Sequence, residues 1–276
     1  MTRVIIHPGF HKTGTTSLQR FLEINADALS PFVRVVLKPE MEDVAKSARD
    51  CSNVTGATGL LRRRRVRAAF KSQFTNLLNR LSLEEGQILL ISCEALVGRM
   101  PGRDKVMAFD AAAGLAKDMR DVTLNHFGPE VDLTFLYTTR QRQSWMRSAY
   151  SHLLQQSRFT LTEEEFAHKY ARTGDLDTII TQIRKAISPR PLVESRLEVT
   201  SPQHFGPASA LLQLLDLPTD VMETLAPAKQ LNTGLDEIEQ AQMRTFNAQD
   251  IDDSDLSLKK RRYLRKRRKK QRNMSQ

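Results

Sequence analysis

The chain has few cysteines and no long apolar run. Cys51 and Cys93 are its two cysteines, too few for a disulfide framework, and no cluster of Cys, His, Asp or Glu has metal-site spacing. The first residues, MTRVIIHPGF, lack the apolar stretch of a secretory signal. No segment approaches the roughly 20 apolar residues that a membrane helix requires. These absences predict a cytoplasmic protein that uses no bound metal.

Acidic residues are missing from one end of the chain. The segment Lys259–Asn273 holds eleven of the 42 Lys and Arg residues and no Asp or Glu, which leaves 31 basic residues to balance 32 acidic ones. The formal net charge of +10 therefore belongs to this segment. We expect one α/β domain at residues 1–250 and a C-terminal tail at 251–276. The tail is acidic and then basic, and we expect it to be mobile or partly helical because like charges repel.

Short apolar runs alternate with segments whose apolar residues recur at helical spacing. The predicted strands are Arg3–His7, Val33–Leu37, Ile88–Ser92, Val131–Thr138 and Leu192–Val199. The predicted helices are Thr15–Asn25, Arg64–Leu81, one within Lys105–Phe127, Gln143–Gln156, Thr162–Tyr170, Asp175–Ile187, Gln203–Leu215 and Leu235–Asn247. Residues 41–60 read as a loop or mobile region. This alternation predicts a three-layer α/β fold, with helices flanking a mostly parallel sheet whose ligands bind at the carboxyl ends of the strands.

The segment after the first predicted strand, PGFHKTGTT, has the composition of an anion-binding loop. Glycines allow tight turns, backbone N–H groups and a helix N-terminus attract an anion, and a lysine and threonines add donors. The candidate binding residues are Gly9, His11, Lys12, Thr13, Gly14, Thr15 and Thr16. The P-loop of nucleoside triphosphatases has lysine directly after the second glycine, whereas Thr15 stands there in this chain. That difference disfavours, without removing, the alternative of a P-loop kinase or NTPase.

A second cationic element follows the fourth predicted strand. Arg140 stands at the strand end, Ser148 follows eight residues later, and Tyr150 comes two residues after that. An arginine fork and a hydroxyl at this spacing can hold a terminal phosphate. The alternative is that Arg140 and Arg147 are solvated charges flanking a helix.

Both elements resemble those of PAPS-dependent sulfotransferases of the P-loop-like, bacterial type (PAPS is 3′-phosphoadenosine-5′-phosphosulfate). The resemblance covers residues 3–25 and 88–156, and a late segment, Lys229–Gly234, resembles the family only faintly. It implies transfer of a sulfuryl group from PAPS to a hydroxyl or amine, leaving 3′,5′-adenosine bisphosphate. In that family the loop binds the 5′-phosphosulfate, and Arg140 with Ser148 would bind the 3′-phosphate.

The resemblance also implies the catalytic roles. Lys12 would stabilise the bridging oxygen of the departing phosphate. An alcohol acceptor needs a general base, and Glu94, which follows the strand ILLIS, is the first candidate. His11 in the loop and Glu40 after the second strand remain open. The acceptor is not indicated, and glycans, lipids, peptides and small phenols all fit.

The basic tail leaves its partner open. It could attract a polyanionic acceptor, dock on anionic lipids at a membrane surface, or bind nucleic acid without sequence specificity. It could also be a solubilising segment without a partner. A polyanion- or membrane-binding protein driven by this tail is therefore the alternative to an enzyme.

Overall fold

The computed structural model describes residues 1–54, 59–104, 106–228 and 234–274, with side chains up to residue 269. The late segment that resembles sulfotransferases, Lys229–Gly234, falls mostly outside these ranges. The chain forms two compact units, one of Met1–Arg142 with Arg172–Leu231 and one of Gln143–Ala171 with Asn232–Gln276. The predicted domain boundary at residue 250 stays a prediction.

The first unit contains a five-stranded sheet in which all pairings are parallel. Its strands are β1 (Arg3–His7), β2 (Val33–Leu37), β3 (Ile88–Ser92), β4 (Asp132–Thr139) and β5 (Leu192–Arg196). Their order in the sheet is β2-β3-β1-β4-β5, so β1 lies in the centre between β3 and β4. The predicted α/β class with a parallel sheet flanked by helices is confirmed.

Helices occupy most of the remaining described residues. They are α1 (Thr15–Ile24), α2 (Ala26–Leu29), α3 (Glu42–Ser52), α4 (Leu60–Arg80), α5 (Ala112–Phe127), α6 (Arg142–Gln156), α7 (Glu163–Lys169), α8 (Leu176–Ile187), α9 (Leu197–Thr200), α10 (Ser209–Leu215), α11 (Thr219–Thr224), α12 (Glu237–Asn247) and α13 (Asp253–Met274). Three 3-10 turns lie at Lys38–Met41, Glu94–Val97 and Gly206–Ala208. Among the described residues, none of these helices has the length and apolar character needed to cross a membrane.

The central strands are continuous apolar runs because helices cover the sheet. Every residue of β3 is buried, as are four of the five residues of β1. Strands of a parallel sheet are shielded on both faces and so do not alternate apolar with polar residues. The core of this unit includes Ile5, Leu18, Phe21 and Leu90, none of which is exposed to solvent.

The prediction of a loop across residues 41–60 is wrong for most of its length. Residues Glu42–Ser52 form α3, and residues 55–58 lie outside the described part of the chain. The buried face of α3 is made of small side chains, including Ala45, Ala48 and Cys51. Small residues suit a helix that packs closely against its neighbours.

Other boundaries also differ from the prediction, and two of the differences change the course of the chain. The last strand ends at Arg196, and Leu197–Thr200 turns into α9 instead of extending the strand. The helix predicted from residue 203 is divided, because Gly206–Ala208 forms a 3-10 turn with Pro207 before α10 begins. Proline at the start of a helical turn is favoured because its fixed backbone angle suits that position.

The second unit ends in α13, the helix formed by the predicted tail. Leu256, Lys260 and Leu264 recur every four residues and are all less than a tenth exposed. The Nζ of Lys260 donates hydrogen bonds of 2.9 Å to the carbonyls of Leu154 and Ser157, at the end of α6. A buried lysine there satisfies carbonyls that the end of a helix leaves without intrahelical partners. One face of the basic segment is thus packed within its own unit.

Candidate functional site

The candidate site begins where the central strand ends. Residues 8–14, here named the β1–α1 loop, connect β1 to α1 at the carboxyl edge of the sheet. The loop has left-handed backbone at Gly9 (φ +58°), Lys12 (φ +67°) and Gly14 (φ +97°). Three such residues within six positions turn the chain sharply before α1 starts.

Gly9 and Gly14 are both required by close packing around the loop. A Cβ on Gly9 would lie 2.5 Å from Oγ1 of Thr15, and one on Gly14 would lie 2.9 Å from side-chain atoms of Leu197 and Pro207. These separations are too short for a methyl group. The two glycines selected from sequence therefore allow the backbone to approach its neighbours in a conformation that other residues rarely adopt.

The threonines of the loop differ in what their hydroxyls do. Oγ1 of Thr13 and Oγ1 of Thr15 both donate to the carbonyl of Phe10, at 2.6 and 3.3 Å. Thr13 is fully buried and Thr15 nearly so, whereas Thr16 is exposed on the first turn of α1. The hydroxyls of Thr13 and Thr15 hold the loop together, and that of Thr16 faces solvent.

Two cations from separate parts of the sequence meet at this loop. The Nη1 of Arg140, just after β4, donates to the backbone carbonyl of Lys12 at 3.3 Å. Burial lowers the pKa of Lys12, and the charge of Arg140 lowers it further. Burial also lowers the pKa of Arg140, and the carboxylate of Glu198 opposes that effect. Adjacent, partly desolvated positive charges are unfavourable alone and are stabilised by an anion between or beside them.

Glu198 also ties the backbone next to Arg140 to the same unit. The Gln141 N–H donates to its Oε1 at 3.0 Å. The strand end that carries Arg140 is therefore fixed by an acidic residue at the start of α9.

Ser148, the predicted partner of Arg140, lies in the second turn of α6 and is half-buried. It belongs to the second unit, whereas Arg140 belongs to the first. Their joint role in holding a 3′-phosphate stays a prediction.

Glu94 and His11 lie within electrostatic range of each other. Glu94 opens the 3-10 turn after β3, and Nε2 of Gln19 donates to its Oε2 at 3.3 Å. Burial lowers the pKa of His11, while the charge of Glu94 acts in the opposite direction. Nε2 of His11 donates to the Gly98 carbonyl at 3.2 Å, so a neutral His11 carries its lone pair on Nδ1.

Glu40 occupies a different part of the sheet edge. Its Oε2 lies 2.5 Å from Nη2 of Arg34 in a partly exposed ion pair. It follows β2, which β3 separates from β1, whereas Glu94 follows β3, the direct neighbour of β1. The strand order therefore places Glu94 closer to the β1–α1 loop than Glu40.

Sequence reasoning missed three polar residues beside the loop. His7 ends β1, Ser92 ends β3 and Thr138 lies near the end of β4, and each is almost completely buried. The signal was present, because each polar residue ends an apolar run at the edge where ligands bind. From sequence alone, this signal marks no more than a strand boundary.

Within the described ranges, no three His, Cys, Asp or Glu side chains are grouped so as to hold a metal ion. No protein-family model matches the chain, and no curated protein matches it either.

Proposed function

We propose that the protein is a PAPS-dependent sulfotransferase that moves a sulfuryl group to a hydroxyl or amine acceptor. The observation that carries the proposal is the contact between Arg140 and Lys12. The two residues come from independent motifs, 128 positions apart, and both motifs resemble parts of one nucleotide site. A donor with anionic groups at both ends fits a site that gathers cations in this way.

The reaction is an in-line displacement at sulfur. The acceptor oxygen forms the new S–O bond while the bond from sulfur to the 5′-phosphate oxygen breaks, and 3′,5′-adenosine bisphosphate leaves with that electron pair. Negative charge grows on the departing oxygen, so a lysine ammonium there lowers the barrier. Lys12 has that role, and the β1–α1 loop orients the 5′-phosphate.

The acceptor proton goes to a general base. Glu94 is the preferred candidate because it follows β3 beside the loop and one of its oxygens is oriented by Gln19. His11 could act through Nδ1, since its Nε2 is bonded to Gly98. Glu40 is less suited because its carboxylate is already paired with Arg34.

Isothermal titration with 3′,5′-adenosine bisphosphate and with 5′-AMP tests the nucleotide assignment. The native protein should bind the bisphosphate more tightly, and Arg140→Ala should remove most of that preference. Arg147→Ala is the matched control, because Arg147 is exposed and its nearest carboxylate, on Glu163, is 3.8 Å away. Equal affinity of the native protein for both ligands would remove the basis of the proposal. Preferential binding of Mg²⁺-ATP would favour a P-loop kinase or NTPase instead.

The exposed side of α13 supports a second, separable activity, the binding of polyanions. Six exposed cations C-terminal to the buried Lys260, named here the α13 basic face, are Arg261, Arg262, Arg265, Lys266, Arg268 and Lys269. Leu256 and Leu264 are buried within the unit, so Leu258 is the one leucine of α13 that is exposed and available for insertion into a bilayer. A single exposed leucine is not the apolar face that insertion requires, so a partner held by charge is favoured over insertion into a bilayer.

Replacing these six cations with glutamine, while keeping Leu256, Lys260 and Leu264, tests this surface without removing the packing of the helix. Binding to a sulfated polysaccharide column should weaken and lose its salt dependence. Binding of 3′,5′-adenosine bisphosphate should be unchanged. Loss of bisphosphate binding in this variant would instead mean that the basic face takes part in the nucleotide site.

A further inference from the structure

A chain of buried polar side chains lies beneath the β1–α1 loop. His7 Nδ1 is 2.8 Å from Ser92 Oγ, and His7 Nε2 is 3.4 Å from Thr138 Oγ1. Thr138 Oγ1 is in turn 2.8 Å from Thr13 Oγ1, which donates to the Phe10 carbonyl at 2.6 Å. None of the four side chains is more than slightly exposed. The chain crosses β3, β1 and β4 and ends in the loop.

The direction of every bond in this chain follows from its last member. Thr13 has one hydroxyl proton, which goes to the Phe10 carbonyl, so Thr138 must donate to Thr13. Thr138 has then used its own proton and must accept one from Nε2 of His7. A neutral His7 with its proton on Nε2 has a lone pair on Nδ1 and accepts from Ser92. One tautomer of one histidine therefore satisfies the whole chain.

The chain sets the orientation of a peptide group in the loop. The Phe10 carbonyl receives the hydroxyls of both Thr13 and Thr15. A trans peptide is planar, so the His11 N–H of the same group points the opposite way. Whatever holds Thr13 also fixes the direction of this loop amide.

We propose that His7 is a positioning residue, whose neutral Nε2–H tautomer aligns Thr138 and Thr13 and so presets the β1–α1 loop for an anion. This inference rests on the proposed function, because the anion is taken to be the 5′-phosphosulfate of the donor. His7 itself reaches no substrate, since its side chain is inaccessible to solvent.

The surroundings of His7 keep the ring neutral. Burial lowers its pKa to about 4, and the charge of Glu94 only partly opposes this. A positively charged ring would also carry a proton on Nδ1, facing the hydroxyl of Ser92. That hydroxyl would then have to rotate and accept a hydrogen bond from Nδ1 instead of donating one. The arrangement favours one uncharged form, as expected of a structural hydrogen bond between strands.

Substitutions along the chain test its effect on the loop. Thr138→Val keeps the shape of the side chain and removes the hydroxyl, and it should weaken binding of 3′,5′-adenosine bisphosphate about tenfold, as expected for one lost aligned hydrogen bond. His7→Leu should have a similar effect, whereas His7→Gln, whose amide can still donate toward Thr138, should recover most of the affinity. Thr134→Val is the matched control, on the same face of β4 four residues earlier, and should bind like the native protein.

Nitrogen-15 spectra of the histidine rings test the tautomer without any ligand. At neutral pH the His7 ring should be neutral with its proton on Nε2, and Thr138→Val should shift the backbone amide resonances of residues 11–14 while Thr134→Val leaves them unchanged. A His7 ring with its proton on Nδ1 would overturn the inference. Backbone amide resonances of residues 11–14 that do not shift in Thr138→Val would overturn it too.

The two proposals fail in different ways. A native protein that binds no bisphosphate but has the expected tautomer and loop shifts would refute the donor assignment and, with it, the anion named here, while leaving the positioning by His7 supported. Normal bisphosphate binding in Thr138→Val and His7→Leu would refute the His7 inference and leave the sulfotransferase proposal intact.

Discussion

Arg140 donates a hydrogen bond to the backbone carbonyl of Lys12, which connects the end of β4 to the loop that follows β1. Lys12 has a left-handed backbone, with φ at +67°, which a residue with a side chain adopts at a cost. The arginine thus helps to hold a strained lysine in place. Strain of this kind is usual at sites where a side chain must take one direction.

Lys12→Met should abolish most of the sulfuryl transfer while the protein still folds. Lys12 is only partly buried, and methionine keeps the length of the side chain. The loss of one preorganised donor at a developing negative charge lowers kcat by about a hundredfold or more. The value of kcat, measured with labelled PAPS and an acceptor that the native protein sulfates, should fall far more than the affinity for 3′,5′-adenosine bisphosphate. An equal fall in both would assign Lys12 to binding rather than to catalysis.

Gly14→Ala should destabilise the first unit and prevent donor binding. Alanine at this position would have to adopt the left-handed backbone of Gly14. Its methyl group would lie 2.9 Å from side-chain atoms of Leu197 and Pro207. Gly86→Ala is the control, because Gly86 also has a positive φ, at +83°, but no atom lies within 4 Å of its added Cβ. Both variants carry the backbone penalty of about 1–2 kcal/mol, and the collision adds to it at Gly14. Thermal denaturation should show a larger loss of stability for Gly14→Ala than for Gly86→Ala. Equal losses of stability would contradict the close packing at Gly14.

The sequence was sufficient to locate the central strands. The bounds predicted for β1, β2 and β3 are those of the structure, because short apolar runs between turn residues leave few alternatives. The helix α3 was missed, because its buried face is built, apart from Val44, from alanine, serine and cysteine, whose burial depends on neighbours that no local pattern reveals.

The candidate site could be predicted only in part. The glycines and Lys12 follow a local pattern, and their backbone angles agree with the sharp turn expected there. The hydrogen bonds of His7 with Ser92 and Thr138 join residues 85 and 131 positions apart, and only the strand order brings them together. Sequence spacing carries no information about such pairs until the sheet is known.

Arg67→Ala should destabilise the first unit through a buried carboxylate. Nε and Nη2 of Arg67 in α4 each lie 2.7 Å from an oxygen of Asp118 in α5, whose side chain is only 5% exposed. Removing the arginine leaves the buried carboxylate of Asp118 without this ion pair, which should lower the free energy of unfolding by about 3 kcal/mol. This value is near the lower bound for broken buried pairs because Arg67 itself is partly exposed. Arg20→Ala, which breaks the exposed pair with Glu23, should change the free energy of unfolding by less than about 0.5 kcal/mol. Urea denaturation distinguishes the two, and similar losses would contradict this account.

The stability of the first unit should fall as the pH is lowered from about 6.5 toward 4. The pKa of His7 is about 4 in the folded chain and 6.5 when it is exposed, so the unfolded state binds the proton first. Stability is therefore greatest above this range, and the difference amounts to about 3 kcal/mol once the pH is below both values. Urea denaturation across this range should show a shallower pH dependence for His7→Gln than for the native protein. Identical slopes would mean that other groups govern acid unfolding.

The helix α13 holds its run of cations in a fixed order. Leu256, Lys260 and Leu264 fix one side of it within the second unit, so the charges opposite are held at intervals of about 1.5 Å along the axis for each residue. A disordered segment of the same composition would lose conformational entropy when it met a partner. Here that entropy is lost during folding, so the proposed polyanion would encounter an array that is already in order.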